Sequence, residues 1–113
     1  MQINQKTKNG VVVCYLKGEI NIDTVPKLKE TFEIILKNKF RKVLLSFKGV
    51  EYIDSLGIAT LIDFSKRLLK REGILFLCEL SSNLRSIFGI TKVDKVFKIY
   101  ETEEEALKEF YGY

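Results

Sequence analysis

Val43-Leu44-Leu45-Ser46-Phe47-Lys48-Gly49-Val50-Glu51-Tyr52-Ile53-Asp54-Ser55-Leu56-Gly57-Ile58 changes its periodicity part-way along. Val43 to Phe47 is a short apolar run, broken by Ser46 alone, and reads as a strand. Lys48-Gly49 interrupts it, and Val50 to Ile53 leads into the polar pair Asp54-Ser55. From about Leu56 to Arg71 the apolar residues recur at helical spacing, with Ile58, Leu61, Ile62, Ser65, Leu68 and Leu69 expected on the inner face. Glu72-Gly73 stops that helix. Ile74 to Leu80 then has almost no alternation, as in a strand buried on both faces. A strand, a helix and a second buried strand make a crossover unit, which implies a parallel pair.

The same grammar extends in both directions. Upstream, Val11 to Leu16 reads as a buried strand. Asn9-Gly10 before it is a hairpin signal, so residues near Ile3 to Thr7 are expected as an edge strand. Gly18-Glu19-Ile20-Asn21 forms the exit loop. A helix follows, capped by Asp23 or Thr24, with Pro26 in its first turn and Val25, Leu28, Phe32, Ile35 and Leu36 on its buried face, ending near Asn38. Downstream, Ser81 or Ser82 caps a short helix with Leu84, Ile87 and Phe88 facing in and Gly89 closing it. Val96 to Tyr100 is a last strand. Thr102-Glu103-Glu104-Glu105 is a capping box that opens a final helix facing in through Ala106, Leu107 and Phe110. The order β-β-α-β-α-β-α-β-α gives an α/β class: a mixed, largely parallel sheet of about five strands with about four flanking helices. No repeat, low-complexity segment or linker divides the chain, so residues 1–113 are expected as a single domain.

Composition removes several classes of function. The 113 residues contain no His, so zinc sites and most general-base chemistry at neutral pH lose their usual side chain. Neither a catalytic centre, a metal site nor a cofactor is expected. Cys14 and Cys78 sit inside apolar strand-like runs and read as core. The net charge of +4 comes from 19 basic residues interleaved with 15 acids. The densest basic stretch, Lys66 to Arg71, falls at the end of a helix, where the dipole favours cations, so no nucleic-acid partner is expected. No apolar run reaches the ~20 residues of a membrane span, and residues 1–6 lack a signal core. The expected location is the cytoplasm, with no membrane partner.

Function is concentrated at Tyr52 to Ile58. In open α/β sheets functional groups gather at the carboxyl ends of strands. Ser55 is placed to be the helix N-cap, accepting from free N–H groups of the first turn, and Asp54 complements the dipole. Gly57 in that turn offers no side chain to block an approach from outside. Ile20, Ile22 and Ile58 lie in flanking segments, either as core or as the apolar centre of a partner patch.

Asp54-Ser55-Leu56-Gly57, with apolar Tyr52-Ile53 before it and an apolar helix after it, resembles the Asp-Ser-x-Gly phosphorylation motif of STAS domains. The likeness is to the free-standing bacterial anti-sigma factor antagonists of the sporulation and general-stress type. It extends over nearly the whole chain. Leu16-Lys17-Gly18-Glu19-Ile20 is similar to the family's apolar-x-Gly-x-apolar segment, Arg41 to Phe47 to its strand leading to the motif, and Val93 to Tyr100 to its ending. The resemblance implies that Ser55 is phosphorylated by an anti-sigma factor that is itself an ATP-dependent serine kinase. It implies that the unphosphorylated form binds that factor and frees a sigma factor, that phosphorylation blocks binding, and that a phosphatase resets the system. Asp54, Leu56, Gly57, Ile58, Asn21 and Asp23 would make up the surroundings of the phosphosite. Two positions depart from the pattern. Asn21 stands where the family usually has Asp, with Asp23 two residues on, and Leu56 stands where Ser, Thr or Ala is common. Asn21 keeps hydrogen-bonding capacity but not charge.

Three other readings compete. A receiver domain would take phosphate on Asp54, but it needs further acids after its first strand, and Gly18 to Asn21 supplies one. A hydrolase with Ser55 as nucleophile needs an adjacent base and finds no His. A STAS scaffold would bind partners without phosphorylation.

Overall fold

The computed structural model describes residues 1–112, and the strand-to-helix alternation is present throughout. Two strands come first, β1 (Gln2–Lys8) and β2 (Val11–Lys17). They are joined at Asn9-Gly10, where both residues have positive φ, as a two-residue hairpin whose twist matches the strands requires. Then follow α1 (Val25–Lys37), β3 (Lys42–Gly49), α2 (Ser55–Lys70), β4 (Ile74–Cys78), α3 (Ser82–Ile90), a single 3₁₀ turn (Val93–Lys95), β5 (Lys98–Tyr100) and α4 (Glu103–Phe110). The sheet order is β1-β2-β3-β4-β5. β1 pairs antiparallel with β2, and the remaining pairs are parallel. The fold class is therefore the mixed, largely parallel five-stranded sheet with four helices that the sequence indicates.

Successive side chains of a strand point to opposite faces, and here both faces are covered. Val12, Cys14, Val43, Leu45, Leu75 and Leu77 face α1, α2 and α3. Val11, Val13, Leu44, Phe76 and Cys78 face Ala106 and Phe110 of α4. This explains why β4 shows no alternation. Cys14 and Cys78 belong to opposite faces, and burial pushes each thiol up to about 12. Both are expected to resist Ellman's reagent at pH 8 in the folded protein and to react fully once urea has unfolded it. Fast labelling without denaturant would place them outside the core.

Several elements differ from the sequence reading at their ends. In α2 the inner face is Gly57, Ile58, Leu61, Phe64 and Leu68, whereas Leu69 is 72% exposed. Phe64 stacks on Phe32 of α1, with ring centroids 3.9 Å apart, so the helix turns that edge toward α1 instead of Leu69 toward the sheet. β4 ends at Cys78, because Glu79 adopts a positive φ. α3 continues past Gly89 to Ile90, and the left-handed residue that ends the segment is Lys92. Val96 is exposed after the 3₁₀ turn, and β5 begins only at Lys98. Among the described residues no helix is long and apolar enough to cross a membrane.

α4 is fastened to the hairpin by charge. Thr102 caps it, accepting from the Glu105 N–H at 3.1 Å. Glu103 accepts from Lys8 at 2.6 Å and from the Tyr15 hydroxyl at 2.9 Å. Burial pulls the Glu103 carboxyl upward, but these two bonds outweigh it and hold the group below the usual carboxylate range. The bond to Glu103 is the main reason Lys8 is raised. A lowered acid stabilises the fold above its unfolded pKa, and that contribution is lost as pH falls through the folded value. A raised base stabilises below its unfolded pKa and loses its contribution as pH rises through the folded value. The tie is thus complete between ordinary values of 4.5 for Glu and 10.5 for Lys. Glu103→Gln is expected to lower Tm by a few degrees at pH 7, with the gap closing toward pH 3. A gap that stays constant down to pH 3 would assign the loss to packing.

Candidate functional site

The carboxyl end of β2 and the N-terminus of α2 are stitched together by backbone and carboxylate. Ile20 and Ile53 form an isolated parallel bridge. The Ile20 N–H donates to the Tyr52 carbonyl and the Asp54 N–H donates to the Ile20 carbonyl, both at 3.0 Å. Both oxygens of Asp54 are engaged: one accepts from the Gly57 N–H at 2.9 Å and the other from the Ile22 N–H at 3.0 Å. Asp54, not Ser55, is therefore the N-cap of α2, and Ser55 is its first helical residue. Sequence reasoning put the cap one position late because Asp and Ser are both good caps. The aspartate takes the role because its second oxygen also fastens the neighbouring loop.

This correction changes how Ser55 is presented. Its hydroxyl does not serve as the cap, and the residue is exposed on the first turn. The N–H groups of Ser55 and Leu56 have no helical carbonyl a turn behind them to bond. Leu56 is 37% exposed and Ile22 across the bridge is 69% exposed, while Ile20 and Ile58 are core. Tyr52, read from sequence as part of an apolar lead-in, is exposed as well. Its position one residue from buried Ile53 in an extended segment was the available signal.

Gly57 is the second correction. It faces inward, and a Cβ placed there would meet Ile20 Cγ2 at 2.6 Å and Ile53 Cγ1 at 2.7 Å. Its missing side chain lets the helix sit against the bridge and does not open a path from solvent.

Asn21 and Asp23 lie in the loop that Asp54 holds. Asn21 Oδ1 accepts from the N–H groups of Asp23 at 2.9 Å and Thr24 at 3.2 Å, a side-chain turn that either Asn or Asp can make. Thr24 is the N-cap of α1 by position but makes no side-chain cap. Its hydroxyl accepts from the Asn21 N–H and donates to the Glu19 carbonyl. Asp23 is exposed. The residues singled out from sequence (Asn21, Asp23, Asp54, Ser55, Leu56, Gly57 and Ile58) thus converge on one end of the sheet. Gly57 and Ile58 support it from below. Asp54→Ala removes an N-cap worth about 0.5–2 kcal/mol and releases Ile22. It is expected to speed amide exchange at Ile22 and Gly57 together, and unchanged exchange at Ile22 would show that the loop holds itself.

Residues 2–106 match the family model of the STAS domain. The chain belongs to the STAS family. An anti-sigma-B factor antagonist of Listeria monocytogenes is 31% identical to this STAS domain over 91 residues, 80% of each chain. The crystal structure of TM1081 from Thermotoga maritima superposes with a TM-score of 0.89 at 26% identity, covering 95% of this chain and 92% of the other. The Bacillus protein SpoIIAA, solved in unphosphorylated and phosphorylated forms, gives TM-scores of 0.76 and 0.73 at 19% identity. The alignments cover 99% and 96% of this chain and 100% and 99% of SpoIIAA, and they show a shared fold.

Proposed function

We propose that this STAS domain is an anti-sigma factor antagonist that docks an anti-sigma factor through the face around Ser55, and that phosphorylation of Ser55 ends the docking. The observation that carries the reading is the exposed Ser55 at the first position of α2, with exposed Leu56 and Ile22 on the segments that flank it. The names of the relatives support the regulatory class. The existence of a phosphorylated form of SpoIIAA, a protein of the same fold, supports the modification.

In this reading the anti-sigma factor is also the kinase. The γ-phosphoryl of ATP passes to the Ser55 hydroxyl oxygen, ADP leaves, and the hydroxyl proton goes to a base of the kinase. Asp54 holds the acceptor in place through the N–H groups of Gly57 and Ile22. ATP and its magnesium belong to the kinase, so the antagonist needs no cofactor. A phosphatase restores the hydroxyl. The chain works as one regulatory domain without catalysis of its own, in the cytoplasm where sigma factors act.

The test is incubation with the kinase-type anti-sigma factor of the source cell and ATP, followed by mass spectrometric mapping. One acid-stable phosphate on Ser55, absent from Ser55→Ala, is expected. An acid-labile phosphate on Asp54 would show a receiver instead. Binding with no phosphate on any residue would reduce the protein to a scaffold.

A further inference from the structure

The chain's surplus charge gathers at the end of the molecule opposite Ser55. Two adjoining clefts open there, of about 560 and about 470 Å³, and they share Lys70 and Arg71 as a wall. Their lining residues include six cations, Lys37, Lys39, Arg41, Arg67, Lys70 and Arg71, and two acids, Glu33 and Glu72. That is an excess of four, equal to the whole chain's +4, which leaves thirteen basic and thirteen acidic residues elsewhere. α2 has 16 residues, so this end lies about 24 Å from Ser55 at 1.5 Å per residue.

The helix dipole explains part of the cluster. Lys37, Arg67 and Lys70 lie in the last turns of α1 and α2, where cations are favoured. Arg71 donates to the Leu36 carbonyl, and Arg67 pairs with Glu33. Lys39 and Arg41 lie beyond α1; the Lys39 N–H donates to the Leu36 carbonyl in closing the helix, but neither side chain caps it. Among the described residues, no ion pair or side-chain hydrogen bond engages Lys39, Arg41 or Lys70. Lys39 also has φ +60°, a conformation for which glycine is better suited.

We propose that these clefts form a second docking site, for an acidic segment of a partner protein. The chemistry favours a polypeptide over a nucleic acid. Carboxylates would meet Lys39, Arg41 and Lys70, while N–H groups or a cationic side chain of the same segment would donate to Glu72. A phosphodiester backbone is negative along its whole length and would meet Glu33 and Glu72 as like charges, whereas a polypeptide can alternate its charges to suit them. Leu36 also lines the smaller cleft, where its small exposed edge can meet an apolar residue of the segment. Because the site is at the far end of α2, a partner here and one at Ser55 can be bound together.

The experiment uses a fluorescein-labelled peptide of three Glu-Leu-Asp-Glu repeats, titrated by anisotropy at low salt. An oligouridylate of equal charge is titrated in parallel. Tighter binding of the peptide is expected, with amide shifts at residues 36–41 and 67–73. The triple variant Lys39→Glu, Arg41→Glu, Lys70→Glu should weaken binding at least ~10-fold, about 1.4 kcal/mol. Lys48→Glu, Lys95→Glu, Lys98→Glu carries the same net charge and should bind the peptide like wild type. Lys39→Gly relieves the positive φ, so it should raise Tm yet weaken binding, which separates folding from docking. Equal loss in both triple variants, binding of the RNA as tightly as the peptide, or shifts centred on Ser55 would each overturn the proposal.

Discussion

Ser55→Asp, and more strongly phosphorylation of Ser55, is expected to weaken binding of the anti-sigma factor by roughly 30-fold to several thousandfold, while Ser55→Ala leaves it nearly unchanged. Ser55 is exposed beside the Asp54 carboxylate, and Leu56 and Ile22 give a docking partner apolar area to cover. Phosphoserine adds about −1.5 to −2 charges and three acceptor oxygens. Leaving a charge buried and mispaired at an interface costs about 2–5 kcal/mol, which is the stated range in affinity. Within the free protein the balance is different. The helix N-terminus stabilises the phosphate by about 0.3–1 kcal/mol, and Asp54 opposes it. These terms nearly offset, so the fold is retained and the effect appears at the interface. Isothermal titration of the three forms checks it. Equal affinities would remove Ser55 from the docking surface.

Gly57→Ala is expected to destabilise the protein, although the same substitution at Gly89 is expected to stabilise it. Both glycines lie within helices, and Ala is intrinsically the better helix former by up to about 1 kcal/mol. At Gly89 nothing lies within 4 Å of the added carbon, so propensity decides. At Gly57 the carbon would fall 2.6 Å from Ile20 and 2.7 Å from Ile53, both fully buried. Overpacking a core costs about 1–3 kcal/mol and exceeds the gain in propensity. Gly57→Val adds further atoms at the same place and should lower Tm by roughly 10 °C or more. Since α2 must move off the bridge, Gly57→Ala should also disturb the Asp54–Ile22 tie and slow phosphorylation of an intact Ser55. Thermal unfolding of the two Ala variants gives the comparison. If both shift Tm in the same direction, close packing at Gly57 is not what the position demands.

The strands and helices were legible because each carries its own periodicity. The unbroken run Ile74 to Cys78 announced burial on both faces, and Asn9-Gly10 announced the hairpin. The location of the candidate site in the fold was legible for the same reason, since a polar pair between a strand and a helix has one place to go in such a sheet. What could not be read was direction. Asp54 and Ser55 are both competent caps, and the choice depends on the Ile22 N–H, 32 residues away in sequence. The inward aspect of Gly57 depends on Ile20 and Ile53 meeting beneath it. Leu69 fits the helical stripe as well as Phe64 does, and only the stack on Phe32 decides between them. The clefts around Lys39 and Lys70 join two helix ends that are separate in sequence, so the stretch from Lys66 to Arg71 alone reads as an ordinary helix terminus.

The claim on which the account rests is that phosphate at Ser55 changes the charge of a surface and leaves the fold as it is. Amide chemical shifts of the protein before and after stoichiometric phosphorylation test it most directly. The account predicts changes confined to residues 20–24 and 52–59, with the sheet and α4 unmoved. Changes spreading through β3, β4 and α4 would contradict it and would make the switch a conformational one.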